Sequence, residues 1–258
     1  MLIAVCGVLG LLVGSFLNVV VARVPADRSV VSPPSACPRC DTPIAPRDNV
    51  PVVSWLLLRG RARCCGEPVS VRYPLVEAGT AVAFALVGWW LGWVAVLPAF
   101  LFLAAISIAL ALIDIDTFRL PYVIVARSYP VAGVLLGAAS LVERDTSSVV
   151  RMLVGGAALW LFYRLLHAVY PQGMGYGDVR LAGVLGMYLG WLGWSELVTG
   201  AFFAFLVGGL AGIAIMVVGR GSLKTQIPYG PYMIVGSWLG AVWGADVAGA
   251  YLRAAGLA

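Results

Sequence analysis

VLPAFLFLAAISIALALID, residues 96–114, runs eighteen residues without a charge and then stops on an aspartate. A helix needs about 17–25 apolar residues to cross the hydrocarbon of a bilayer, so this run predicts a membrane span with an acid at its end. Comparable runs cover roughly 75–94, 122–142, 148–170, 179–195, 197–219 and 230–252, and another opens the chain in MLIAVCGVLGLLVGSFLNVVVARVP (1–25). Eight spans result. The composition agrees: 61% of residues are hydrophobic, 11% are charged, and the mean hydropathy is +0.95. A soluble domain is about 45–50% apolar and about a quarter charged. The expected fold class is an all-α polytopic membrane protein, with about eight transmembrane helices and a cytoplasmic Cys-containing loop between the first two.

The first run is expected to be a retained span rather than a signal peptide. No basic residue precedes its apolar core, positive charge follows the core, and no small-residue cleavage site is evident. Charge then sets the orientation. Eight of the 17 basic residues fall between Arg23 and Arg72, and Arg119, Arg220 and Lys224 lie in later loops of the same side. Cytoplasmic loops carry an excess of Lys and Arg, so 23–74, 114–121, 171–178 and 220–229 are expected inside and the N-terminus outside. A basic loop accounts for the formal charge of +5. No nucleic acid partner is therefore expected, and the surrounding partner is membrane lipid. The chain divides into 1–94 (first span, basic Cys-containing loop and second span), 95–219 (the membrane domain carrying the acids) and 220–258 (loop and last span).

Ionisable residues at a membrane edge are costly and point to function by default. Asp114 and Asp116 end the third span in ALIDIDTFRLPY (111–122), and Asp178 closes GMGYGD (173–178) ahead of the sixth. In this topology all three share one edge. Acids can sit at span ends merely to stay wet, and Asp178 could simply cap its helix. Three preceding glycines, Gly173, Gly175 and Gly177, are more than a cap requires. They permit close approach and φ > 0, so an extended peptide can lie beside the acid. Two facing carboxylates can activate water, one as general base and the other polarising a scissile carbonyl. Such a pair titrates as a unit. Helix ends suggest an asymmetry, with Asp178 at a positive N-terminus as base and Asp114 at a negative C-terminus as acid.

Other chemistries fit poorly. The one histidine, His167 in LFYRLLHAVY (161–170), has no HExxH around it, and no GxSxG accompanies it. GMGYGD lacks the preceding strand and final glycine of a dinucleotide loop. A non-proteolytic carrier would use acids as ligands near the bilayer centre; these acids fall at span ends instead.

The first loop holds CPRC (37–40) and RARCCG (61–66). A CxxC followed by a second cysteine pair, in a reducing compartment, reads as two metal knuckles. The second is irregular, because Ala62 stands where a regular CxxC has its first thiol. Cys37, Cys40 and Cys65 are the expected ligands, with the adjacent Cys64 for the fourth place and structural zinc as the metal.

Together these segments resemble one family. GSFLNVVVARVP (14–25), SACPRC (35–40), DNVPVVSWLLLRGRARCCG (48–66), VRYPLVE (71–77), ALIDIDTFRLP (111–121), GMGYGDVRLAG (173–183) and IPYGPYM (227–233) occur in the order found in bacterial type IV prepilin peptidases. The resemblance covers nearly the whole chain. It implies a membrane-embedded aspartic endopeptidase that removes the short basic leader of type IV prepilins or pseudopilins on the cytoplasmic side, cutting after a glycine. It also implies that the new N-terminus can be methylated from S-adenosylmethionine, while proteolysis needs no cofactor. The family's two catalytic acids map to Asp114, seven residues before Pro121, and to Asp178. Asp116 and Arg180 are supporting residues, Arg180 standing where the family commonly has Lys. Presenilin-like GxGD proteases would want a Tyr-Asp pair, but Ile113 precedes the acid here. The localisation implied is the bacterial cytoplasmic (inner) membrane, with the active site at its cytoplasmic face.

Overall fold

The computed structural model describes residues 1–37, 39–218 and 227–256, so Arg220 and Lys224 lie outside the described residues. Nine α-helices occur among the described residues. They are α1 (Leu2–Arg23), α2 (Val53–Leu57), α3 (Arg72–Leu91), α4 (Leu97–Thr117), α5 (Tyr122–Glu143), α6 (Thr146–Val169), α7 (Tyr176–Leu192), α8 (Trp194–Val217) and α9 (Gly230–Ala254). Among the same residues strand pairing is limited to two isolated bridges, Ala36 with Pro43 and Arg61 with Pro68. Seven helices are long and apolar enough to cross a membrane. The eighth long helix, α7, has 17 residues, the lower end of the spanning range. The all-α polytopic expectation of about eight spans is met.

Local chemistry sets the helix ends. Pro25 lies in a 3₁₀ turn, Val24–Ala26, directly after α1, where a missing N–H ends the ladder. Gly92, at φ 71, terminates α3. Pro121 is the extended residue before α5. Asp145 caps α6, its side chain accepting from Ser147 N at 2.9 Å and Ser148 N at 3.4 Å. The Ser147 hydroxyl, which also donates to Asp145 Oδ1, and after it these two N–H groups and Arg151 hold the Asp145 carboxyl below its ordinary range.

The chain forms two compact units, Met1–Ala109 and Leu110–Ala258. In the first, α1 and α3 pack antiparallel. A Cβ built on Gly10 would meet Ala81 Cα at 2.6 Å, and one on Gly14 would meet Glu77 Cα at 2.7 Å. The loop between them is anchored by Glu77, whose Oε2 accepts from Val52 N at 2.7 Å. Val52 is held at φ 61 by that bond and its neighbours, a conformation that β-branched residues avoid.

In the second unit α7 is the central element, packed by α5, α6, α8 and α9 and buried on nearly every side. Its contact with α6 is backbone against backbone. A Cβ on Gly155 would come 2.7 Å from Gly186 O and 2.9 Å from Gly190 Cα. Helices α8 and α9 repeat the device, Gly240 lying against Gly200 and Gly236 against Ala204. Small residues at such interfaces let helices approach closely where no hydrophobic drive separates side chain from lipid. At one end of the unit a buried network reinforces the packing. Trp191 Nε1 donates to Ser140 Oγ at 2.8 Å, which lies 2.7 Å from Ser148 Oγ, so α5, α6 and α7 are pinned together.

These contacts predict opposite effects at two glycines. Gly186→Ala is expected to destabilise the protein by about 1–3 kcal/mol through overpacking. Gly137→Ala, on α5 with nothing within 4 Å of its Cβ position, is expected to stabilise it by about 0.5–1 kcal/mol. Thermal unfolding of both variants in the same detergent, followed by circular dichroism, checks the pair.

Candidate active site

Four helix ends of the second unit meet around two acids. Asp114 lies one turn before the end of α4, and Asp178 is in the first turn of α7. Both are buried, at 4% and 7% exposure, and Leu120 packs against a neighbour of each, Gly177 beside Asp178 and Gly230 beside Asp114. Each carboxylate accepts one backbone N–H. Gly175 N donates to Asp178 Oδ2 at 3.1 Å, while Asp178 N donates back to Gly175 O at 3.1 Å, closing a box at the start of α7. Gly230 N, the first residue of α9, donates to Asp114 Oδ2 at 3.0 Å.

The second bond changes the expected asymmetry. Asp114 does sit near the negative end of α4, but its carboxylate also faces the positive end of α9. Each acid therefore meets a helix N-terminus, where N–H groups and dipole favour negative charge. The helix ends leave no simple division into base and acid.

The turn after α4 positions the rest. Phe118 adopts the left-handed region, φ 54, with its N–H donating to Asp114 O at 2.8 Å. The chain then brings Leu120 against two glycines. A Cβ on Gly177 would lie 2.9 Å from Leu120 Cβ, and one on Gly230 would lie 3.3 Å from Leu120 Cδ2 and 2.8 Å from Asp114 Oδ2. Pro121 follows as the extended entry to α5.

The GMGYGD loop differs from the sequence expectation in one respect. None of Gly173, Gly175 and Gly177 uses φ > 0, and Gly175 is ordinary extended backbone at φ −68, ψ 147. Close approach is what two of them supply, Gly173 against the Tyr170 ring and Gly177 against Leu120. His167 tethers the loop, its Nδ1 lying 2.8 Å from Met174 O, with its ring 5.5 Å from that of Tyr176. An aromatic group adjoins the start of α9. Tyr163, 2% exposed, stacks on Phe205 at 5.6 Å, and its hydroxyl lies 3.5 Å from that of Tyr229, the residue before Gly230.

In the first unit the cysteines converge. Cys37 N donates to Thr42 O and Asp41 N to Cys37 O, both at 2.9 Å; Ala62 N donates to Glu67 O and Gly66 N to Ala62 O, both at 2.8 Å. Asp41 at φ 54 and Gly66 at φ 71 close the two turns alike. The knuckles thus share one backbone design, in which Ala62 occupies the place of Cys37 and Cys65 that of Cys40. Cys64 makes up the missing thiol. Its Sγ lies 3.3 Å from Cys40 and 3.8 Å from Cys65, and Cys37 lies 3.6 Å from Cys65. All four sulfurs fall within 4.8 Å of one another. Thiolates about 2.3 Å from a tetrahedral ion lie about 3.8 Å apart, so the donor set fits a single metal ion. Hydrogen bonds with the Thr42 side chain and backbone draw the Cys40 thiol down to about 6, while its bond with Cys40 pushes Cys64 up to about 12. Asp48 and Arg63 brace the second knuckle, Arg63 Nε reaching both carboxylate oxygens at 2.9 and 3.0 Å.

Comparison with known proteins agrees with both halves of this arrangement. Residues 8–91 match the Bacterial Peptidase A24 N-terminal domain, and residues 101–217 match the Type IV leader peptidase family. The chain belongs to the type IV leader peptidase family. Among its relatives is a prepilin leader peptidase/N-methyltransferase of Pectobacterium carotovorum, 36% identical over 92% of this chain and 91% of the relative. Another, of the same description, comes from Pseudomonas aeruginosa, 35% identical over 96% of this chain and 92% of the relative. A third, from Myxococcus xanthus, is 40% identical over 85% of this chain and 65% of the relative. No solved structure matches the chain.

Within this leader-peptidase framework the sequence candidates separate cleanly. Asp114 and Asp178 come together. Asp116, two residues further along α4, is exposed, since that spacing turns it to the other side of the helix. Arg180, two residues after Asp178, lies over the rings of Tyr122 and Tyr176 at 4.5 and 4.6 Å. Gly230, Leu120 and Tyr163 were not singled out from sequence, and His167 was weighed there only as a catalyst. The segment IPYGPYM held a signal for Gly230, because a glycine before proline at a helix start offers an N–H with no side chain in the way.

The cysteine geometry makes a direct prediction. The purified chain is expected to hold about one metal ion, and Cys64→Ser to reduce that content severely, because three thiolates leave a tetrahedral site incomplete. Elemental mass spectrometry of detergent-purified protein measures both; an unchanged content in Cys64→Ser would remove Cys64 from the ligand set.

Proposed function

We propose that this chain is a membrane-embedded aspartic endopeptidase that removes the basic leader of type IV prepilins or pseudopilins, cutting after a glycine, and that it also methylates the new N-terminus. Prepilin processing is what the family and its prepilin leader peptidase/N-methyltransferase relatives support. The observation that carries the proteolytic half is the buried pair Asp114 and Asp178, each held by one backbone N–H, with Leu120 packed against both Gly177 and Gly230. Two buried like charges at short range share a proton, which leaves one base and one acid at the same place.

The reaction assigned to the pair is water addition to an amide. The ionised carboxylate takes a proton from water as the water oxygen attacks the scissile carbonyl carbon. The protonated carboxyl gives its proton to the carbonyl oxygen. Collapse of the tetrahedral adduct breaks the C–N bond: the leaving nitrogen takes up the proton held by the first acid, and the second acid takes back the proton of one hydroxyl as the C=O re-forms. Gly173, Gly175 and Gly177 are assigned to the substrate-facing loop and Asp116, Arg180 and Pro121 to its support. The carrier alternative is not favoured, since both acids sit within a turn of helix ends and not at the middle of a span.

The four-thiol cluster is assigned to Cys37, Cys40, Cys64 and Cys65 with zinc as a structural ion. When bound it fixes the two knuckles against each other. Methylation is assigned S-adenosylmethionine as donor. The protein is assigned to the bacterial cytoplasmic membrane with its N-terminus outside and the acids at the cytoplasmic face, where the basic leader of a precursor is retained by the same charge rule.

Cleavage of a co-expressed prepilin, followed by gel mobility and mass spectrometry of the new N-terminus, tests this. Asp114→Asn and Asp178→Asn are each expected to lower the rate by about two to four orders of magnitude while membrane insertion is kept. Asp116→Asn should be far milder. If Asp116→Asn is inactive and Asp114→Asn is active, the pair has been misassigned. Gly230→Ala is expected to cost up to about a hundredfold, because its Cβ would meet Asp114 Oδ2 at 2.8 Å and displace the acid.

A further inference from the structure

The catalytic proposal leaves one feature of the second unit unexplained. On the outer surface of α5, α6 and α7, a cleft of about 390 Å³ is lined by Tyr122, Ala126, Tyr129, Trp160, Tyr176 and Arg180. Arg180 lies over the faces of Tyr122 and Tyr176, and Arg164 lies 6.0 Å from the second of these rings. Among the described residues no carboxylate stands within ion-pairing distance of Arg180. Aromatic faces orient a guanidinium but accept none of its five N–H donors in the plane. Aromatic walls alone would suit a cationic ligand. Here Arg180 already fills that role, so the complementary ligand is an anion.

The floor of the cleft is rigid. Tyr129 donates from its hydroxyl to Arg180 O at 2.7 Å. It can do so because position 183 is glycine, where a Cβ would run into that hydroxyl. The mouth is open, with Tyr122 63%, Tyr176 39% and Trp160 37% exposed. Tyr and Trp in that situation form the belt of a membrane interface.

Below the cleft the surface becomes apolar. The same face of α5 continues through Gly133 and Gly137, both half-buried, and the same face of α6 through Ala157 and Leu153, both exposed. A fixed cation at the interface, followed by a small-residue channel running into the hydrocarbon, matches a molecule with an anionic head and acyl tails. We propose that this cleft binds an anionic phospholipid, with its phosphodiester on Arg180 and one acyl chain along Gly133 and Gly137. Basic pockets between membrane helices take such headgroups elsewhere. Two residues along α7 turn Arg180 away from Asp178, so the lipid role is additional to the support of the substrate-facing loop assigned to Arg180 above.

Native mass spectrometry of the full chain in mild detergent, titrated with phosphatidylglycerol and with phosphatidylcholine of the same acyl chains, tests the proposal. Wild type is expected to retain phosphatidylglycerol over phosphatidylcholine by about fivefold, the contribution of one cation near an anionic lipid surface, and Arg180→Gln to abolish that preference. Gly133→Leu is the second variant. Its Cβ position has only Met187 Cε, at 3.8 Å, nearby, so it should fold, fill the channel and lower retention of both lipids. Equal retention of the two lipids by wild type, or a preference untouched in Arg180→Gln, overturns the site. Displacement of phosphatidylglycerol by millimolar inorganic phosphate also overturns it, since the cleft would then take a soluble anion.

Discussion

Backbone-to-backbone contact between α6 and α7 is the constraint on which the second unit depends. Gly155 of α6 and Gly186 and Gly190 of α7 leave no room for even one methyl group between the helices. Inside a bilayer, burial of apolar side chains gives little advantage over lipid, so close van der Waals fit and a few polar bonds must hold helices together. Once α7 is fixed at that distance, its N-terminal turn is fixed too. The buried Ser140–Ser148–Trp191 network secures the opposite end of the same helix. Asp178 thus stands on an element held at both ends.

That rigidity matters because the acids carry little support of their own. Each accepts a single backbone bond, one from the turn before α7 and one from the start of α9. Two helix N-termini facing two carboxylates make their burial tolerable without salt bridges that would quench them. A cation paired directly to either acid would hold it permanently charged and remove the proton sharing on which water activation depends. Arg180, the nearest cation along α7, is turned toward Tyr122 and Tyr176 instead.

Much of this was legible in the sequence, and the missing parts have physical reasons. Apolar run length identified the helices because a bilayer imposes one length on all of them. The two acids stood out because charges at a membrane edge are rare. Gly230 did not, since its contribution is a backbone N–H brought from more than a hundred positions away, and no local pattern encodes that. The interfacial glycines were equally silent, because a chain containing 31 glycines does not reveal which of them face another backbone. At the cysteines, register counting found Ala62 and could not show that a thiol two positions later reaches the same point. Of the two properties read into the loop glycines, close approach and φ > 0, Gly173 and Gly177 supply the first and none of the three uses the second.

The shortness of α7 has a consequence for how a membrane-anchored precursor is handled. Seventeen residues at a rise of about 1.5 Å span about 25 Å, roughly 5 Å less than a typical hydrocarbon core. Its neighbours α5, α6, α8 and α9 are 22, 24, 24 and 25 residues long and enclose it on nearly every side, so the shortfall is met inside the protein and not by lipid. A short helix among longer ones leaves room for its first turn, and Asp178 with it, to stand below their ends. A precursor whose apolar helix ends near that depth can present its junction to the acids without being drawn outward, so the large cost of exposing its apolar segment to water is never incurred.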